Sequence, residues 1–220
     1  MANDPPGNSS QLPTPEDFAK LSLPVEELAS NTPLYRIHKS HYSPLFFPSQ
    51  ATKPGHTPTY RFDDPRGHFG VMYASLQKVG AFAETVTRGF FDHPPHLPRI
   101  LSWSDYSDRS ITTVLPKTPL RVVNLVDDSV VLKLGFDTNL MTCADYTVPQ
   151  EWSRLVHDHP KNVDGIQYIA RHAPSCRSLA IFDRVGSTHF SKHTSHALTA
   201  SDIPEEILLY LYEAGFTLVP

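Results

Sequence analysis

Leu34–His38, LYRIH, reads as a strand with Leu34 and Arg36 on one face and Tyr35 and Ile37 on the other. Phe69–Ala74 reads as a second strand, with Val71 and Tyr73 on one face. The period then changes. Val79, Phe82, Ala83 and Val86 recur at i, i+3, i+4 and i+7, the stripe of an amphipathic helix over Leu76–Thr87 with Ser75 as its cap. Glu84 lies off that stripe, and periodicity alone reads it as a solvated glutamate.

The rest of the chain continues this mixture. Pro15–Leu21, capped by Thr14, and Pro24–Ser30 each predict a short helix. Leu120–Val126 and Ser129–Leu134 read as strands around Asp127–Asp128. Pro149 opens a helix to about Asp158, with Trp152, Leu155 and Val156 inward. Ile166–Ala170 and Ser178–Phe182 read as strands, Glu205–Ala214 as a helix closed by Gly215, and Phe216–Val219 as a last strand. Met1–Pro13 is polar and rich in Pro, Ser and Asn, so disorder is expected there. Lys39–Thr59 contains Pro44, Pro48, Pro54 and Pro58 and reads as a long loop anchored by Phe46 and Phe47. Phe90–Leu101 is a further loop. Strands and helices do not alternate strictly, which favours an α+β fold over a doubly wound sheet.

Composition narrows the picture. The 220 residues suit one domain, and 21 prolines argue for short elements and many loops. A net charge of −4 and the lack of a Lys/Arg block give nucleic-acid binding little support. No apolar run is long enough to span a membrane, and the polar N-terminus is not a secretory signal. Cys143 and Cys176 make no disulfide framework, so a reduced, cytoplasmic setting is the default.

Several candidate chemistries can be weighed. His189, His193 and His196 have helix-like spacing for a metal, but their segment has little helical character and reads as a polar surface loop. Neither cysteine has a patterned His nearby, and Asp63–Asp64 and Asp127–Asp128 read as solvated turns. No nucleophile elbow or phosphate-binding glycine loop is present. Arg36 belongs either to an edge strand facing solvent or to a ligand cleft. Arg61 and Arg66 before a strand, Tyr73 on it and Glu84 after it would suit an anionic, ring-bearing substrate such as a nucleotide.

An ordered set of segments adds more. LYRIH at Leu34–His38, YRF at Tyr60–Phe62, GVMYAS at Gly70–Ser75, AFAET at Ala81–Thr85 and DGIQYIARHAPSCRSLAIFD at Asp164–Asp183 together resemble the RES-domain family, named for an Arg, a Glu and a Ser. The resemblance spans roughly Pro33 to Asp183. It implies a split, mainly antiparallel sheet with surrounding helices, similar to ADP-ribosyltransferases, around an NAD cleft. It divides the chain into an N-terminal extension, 1–30, partly disordered, and a RES-type catalytic domain, 31–220.

By resemblance, Arg36 is the family Arg and Glu84 the family Glu, both catalytic, while Arg36, Arg61 and Tyr73 bind NAD, with no metal. The family Ser falls at Ala170, so a pocket hydroxyl is missing or is supplied by another Ser or Thr. The implied activity is a toxin that consumes NAD by hydrolysis or phosphorolysis, blocked by a helix-turn-helix antitoxin. Alternatives are protein ADP-ribosylation and a weakened RES domain that only binds a nucleotide or partner. The oligomeric state is left open. An Arg fork suits a pyrophosphate, Tyr73 suits a nicotinamide ring, and a carboxylate at Glu84 suits the cation that forms when the ribosyl–nicotinamide bond breaks.

Overall fold

The computed structural model describes residues 12–48, 58–90, 93–199 and 201–220. The expected disorder of Met1–Pro13 falls almost entirely outside these residues, as do residues 49–57 of the long loop. The first half of the chain forms α1 (Pro15–Lys20), β1 (Glu26–Leu28), β2 (Leu34–Lys39), β3 (Val71–Ser75), α2 (Lys78–Thr85), β4 (Arg99–Ser102) and β5 (Arg109–Pro116). The second half adds β6 (Leu120–Asn124), α3 (Asp128–Leu134), α4 (Thr147–Asp158), β7 (Gly165–Ile169), β8 (Arg177–Phe182), β9 (Phe190–Ala197), α5 (Glu205–Glu213) and β10 (Phe216–Val219).

Eight strands form one sheet in the order β1-β6-β7-β8-β3-β2-β5-β9, and β10 pairs with β4 in a separate parallel ribbon. Every pairing in the large sheet is antiparallel except β6 with β7. The fold is therefore α+β with a mainly antiparallel sheet. One face of the sheet is covered by α1 and α4, where Phe18, Phe62, Trp152, Val163 and Phe182 are buried. Phe82 on α2 packs with Leu101, Tyr106, Ile207 and Leu211 in a second cluster.

Five segments differ from the sequence pattern. Pro24–Ser30 is not a helix: Glu26–Leu28 pairs with β6 and closes that edge of the sheet. Ser129–Leu134 belongs to a helix, because Asp127 accepts the Ser129 N–H and Gly135 ends the turn at φ 64°. Val130 and Leu134 are buried while Leu132 is 79% exposed, a helical and not a strand pattern. The polar segment expected to be a loop holds β9, whose Ser195 and Thr194 hydroxyls pair with Thr112 and Thr113 of β5. β5 is not among the strands the alternation predicts, and β4 lies partly within the loop expected at Phe90–Leu101.

The sheet is split. β2 and β3 pair only through Tyr35 and Ser75, although each makes a long ladder with its other neighbour. Beyond that pair the two strands diverge and leave a cleft between them.

Candidate active site

A cavity of about 470 Å³ occupies the split. Arg36 comes from β2, Tyr73 from β3, Glu84 from α2 and Arg61 from the loop before β3, and all four line it.

The Arg61 loop is tied from three sides. Asp63 accepts the backbone N–H groups of Thr59 (3.0 Å) and Tyr60 (2.9 Å). The Tyr73 hydroxyl accepts the Phe62 N–H at 2.9 Å and donates to Asp63 at 3.0 Å. From α4, Gln150 donates to the Tyr60 carbonyl and Ser153 to the Phe62 carbonyl. Burial raises the Asp63 and Tyr73 pKa values. The Tyr73 hydroxyl thus serves the loop, and its ring leans on Tyr60 with centroids 5.4 Å apart.

Arg61 is 5% exposed, and its Nε and Nη1 have no hydrogen-bond partner among the described residues. Its guanidinium carbon lies 5.3 Å from the Tyr146 ring centre and 6.0 Å from that of Tyr168. A buried guanidinium with unpaired N–H groups on a residue that lines a cavity is a ready hydrogen-bond donor to an anion.

Glu84 is half-buried and faces this cavity, not bulk solvent as its periodicity suggests. Burial raises its pKa. The positive charge of Arg61, the backbone N–H groups of His172 and Arg171, and Arg88 partly counteract that rise. The His172 N–H reaches Oε1 at 3.2 Å. The carboxylate is therefore held in place, and its charge is answered by Arg61 and Arg88, not by Arg36.

Arg36 does something different. Its Nη1 donates to the carbonyls of Pro44 and Phe46, both at 2.9 Å, tying the following loop to the cleft. Burial pulls its pKa down to about 10 against the opposing influence of Tyr60, which leaves it charged at neutral pH. Of the two earlier alternatives for Arg36, the cleft is the one found, with the side chain also acting as a loop clamp.

The cavity includes residues that sequence reasoning passed over. Arg88 lies 4.9 Å from the Tyr60 ring centre and 5.8 Å from that of Tyr146. Its place one helical turn after Glu84 was a usable signal. Tyr146, Tyr168 and Ser178 also line the cavity, and nothing local in the sequence marks them. Ala170 is fully buried among Ala83, Ala173 and Cys176, and is not among the cavity's lining residues.

The other candidates have local roles. Asp64 accepts the N–H groups of Arg66 and His68, and Asp127 caps α3. Burial pushes both thiols, Cys143 and Cys176, above their ordinary values. His189 precedes β9, while His193 and His196 are exposed on it. Among the described residues no group of three or more His, Cys, Asp or Glu is placed to hold a metal, and no helix is long and apolar enough to cross a membrane.

The sequence profile of the RES domain matches residues 33–201, most of the chain and all four cavity residues named above. The chain belongs to the RES domain family. No curated protein matches it in sequence. Among solved structures, the RES fold here is similar to a chain of the M. tuberculosis MbcT–MbcA toxin–antitoxin complex, with a TM-score of 0.60 and 14% identity. That match covers 80% of this chain and 88% of the other. At that identity it speaks for the fold alone.

Proposed function

We propose that this RES domain cleaves the ribosyl–nicotinamide bond of NAD, transferring ADP-ribose to water or phosphate. The observation that carries the reading is the buried Arg61, with two open guanidinium nitrogens, beside the carboxylate of Glu84 in one cavity. The open nitrogens suit the pyrophosphate, which a guanidinium binds by charge-assisted hydrogen bonds. Tyr60 and Tyr73 offer aromatic surface for the nicotinamide ring.

In the reaction the C1′–N bond breaks and its electron pair leaves with nicotinamide, which departs neutral. The ribose carries the positive charge that remains, and ionised Glu84 stabilises it. Water or phosphate then bonds to C1′, with loss of a proton in the case of water. Arg61 supports this step as well, because its charge favours the ionised form of Glu84 against the cost of burial.

On this reading residues 31–220 are the catalytic domain and 1–30 an extension. The protein acts in the cytoplasm as a toxin, and a helix-turn-helix antitoxin blocks its cleft. The neighbouring toxin–antitoxin complex supports such a partner. The test is nicotinamide release from NAD by purified protein, with and without phosphate, against Glu84→Gln. Release by the wild type and not by the variant is expected. No release under any condition, with cell extract included, would refute the proposal. Labelled NAD in the same extract separates the alternatives, since only protein ADP-ribosylation leaves label on a macromolecule.

A further inference from the structure

Ser178 lies in register with Tyr168 of β7 on one side and Ser75 of β3 on the other, so the three side chains share a face of the sheet beside the split. It lines the cavity and is only 2% exposed. Its Oγ has no hydrogen-bond partner among the described residues. Neither cross-strand neighbour satisfies it. Ser75 donates to the Arg177 carbonyl at 2.9 Å and accepts the Gln77 N–H. The Tyr168 pKa is raised by burial and by the charge of Glu84, and a hydrogen-bonding interaction with the Ser178 hydroxyl works against that rise. That interaction falls short of good hydrogen-bond geometry, so Oγ keeps hydrogen-bonding capacity to spare.

A hydroxyl buried without a partner is disfavoured, and most such groups in folded proteins are satisfied. On the wall of a cavity that Glu84 also lines, such a group can find its partner in a bound ligand. We infer that Ser178 is a substrate-contacting residue whose Oγ hydrogen-bonds a hydroxyl of the nicotinamide ribose, supplying from β8 the hydroxyl that Ala170 does not. This rests on the NAD reading above. A sugar hydroxyl both donates and accepts, as does Oγ, so the pair matches without ionisation. Ala170, packed among Ala83, Ala173 and Cys176, has no side-chain polar atom with which to do the same.

The test compares wild type and Ser178→Ala by NAD cleavage, by calorimetric NAD binding to the Glu84→Gln background, and by thermal unfolding without ligand. A roughly 10-fold loss in NAD affinity and in kcat/KM is expected, the scale of one hydrogen bond between neutral groups. The Tm of the free variant should be unchanged or higher, because a buried hydroxyl without a partner has been removed. An NAD analogue with a 2′,3′-dideoxy nicotinamide ribose should bind both proteins equally. Equal NAD affinity and turnover in wild type and variant would overturn the assignment of Ser178 while leaving NAD cleavage intact. A Tm lowered by several degrees would overturn it too, since the hydroxyl would then serve the fold. NAD that binds without being cleaved would refute the proposed reaction but not the role of Ser178, which the affinities decide. No binding at all would refute both.

Discussion

Replacing Arg61 with Met should separate the chemistry of the site from the stability of the fold. Met fills much of the volume of the arginine stem and removes the charge and the fork. In the free protein the side chain is 5% exposed, with two nitrogens unpartnered. An unpartnered buried donor costs roughly 1–3 kcal/mol, and more when charged. Contact with the Tyr146 and Tyr168 rings returns about 0.5–2 kcal/mol each. These contributions nearly cancel or favour the variant, so its Tm should fall by no more than about 3 °C, the equivalent of about 1 kcal/mol in a chain of this size. Binding should change far more. Two charge-assisted hydrogen bonds of roughly 1.5–3 kcal/mol each amount to a loss on the order of 10² to 10⁴ in kcat/KM. Initial rates of nicotinamide release and a thermal melt, on the same preparation, measure both. A kcat/KM within threefold of wild type would refute the anion-binding role. A Tm lowered by ten degrees would show that the protein itself satisfies the guanidinium.

Glu84→Gln should lose on the order of 10² to 10³ in kcat, read as nicotinamide release at saturating NAD. Burial raises the pKa values of Glu84 and Asp63, so the native state holds these protons more tightly than the unfolded chain does. Their contribution to stability is fullest below the ordinary values of 4.5 for Glu84 and 3.8 for Asp63 and is lost as pH rises through the folded values. Glu84→Gln should therefore flatten the fall of Tm with rising pH, while the acid limb of wild-type kcat/KM should lie above 4.5 and move higher in Arg61→Met. Tyr73→Phe leaves a buried Asp63 oxygen and the Phe62 N–H unpaired. It should cost about 2–3 kcal/mol in urea denaturation and lower kcat/KM by loosening the Arg61 loop. Gly165→Ala drives a Cβ into the Ala180 carbonyl of the neighbouring strand, which should lower stability by about 1–3 kcal/mol in the same assay.

Where one period dominated, the sequence was readable. α2 and β3 follow their apolar patterns to within a few residues, and Thr14 caps α1 as its side chain suggests, whereas Ser75 ends β3 and Gln77 takes the N-cap of α2 without a side-chain bond. β9 was hidden because an edge strand needs no apolar alternation, only backbone partners on β5. α3 was hidden because consecutive valines and leucines suit either period, and capping by Asp127 and Gly135 decides between them. The cavity shows a similar limit. Glu84 is off the apolar stripe whether it faces solvent or a polar cavity, so the helix pattern alone cannot separate the two. The ordered family segments named Arg36, Arg61, Tyr73 and Glu84, and the split between β2 and β3 brings them to one cavity. Tyr146 and Ser178 depend on how distant segments come together, including the alignment of β8 against β3 and β7, which no local spacing encodes.

The structure of Glu84→Gln with NAD bound tests the central claim most directly, because the variant should bind the dinucleotide without consuming it. The account predicts a pyrophosphate oxygen within hydrogen-bond distance of Arg61 Nε or Nη1 and the nicotinamide ribose beside residue 84, in the cleft between β2 and β3. A dinucleotide seated elsewhere, or one whose phosphates leave Arg61 untouched, would contradict it.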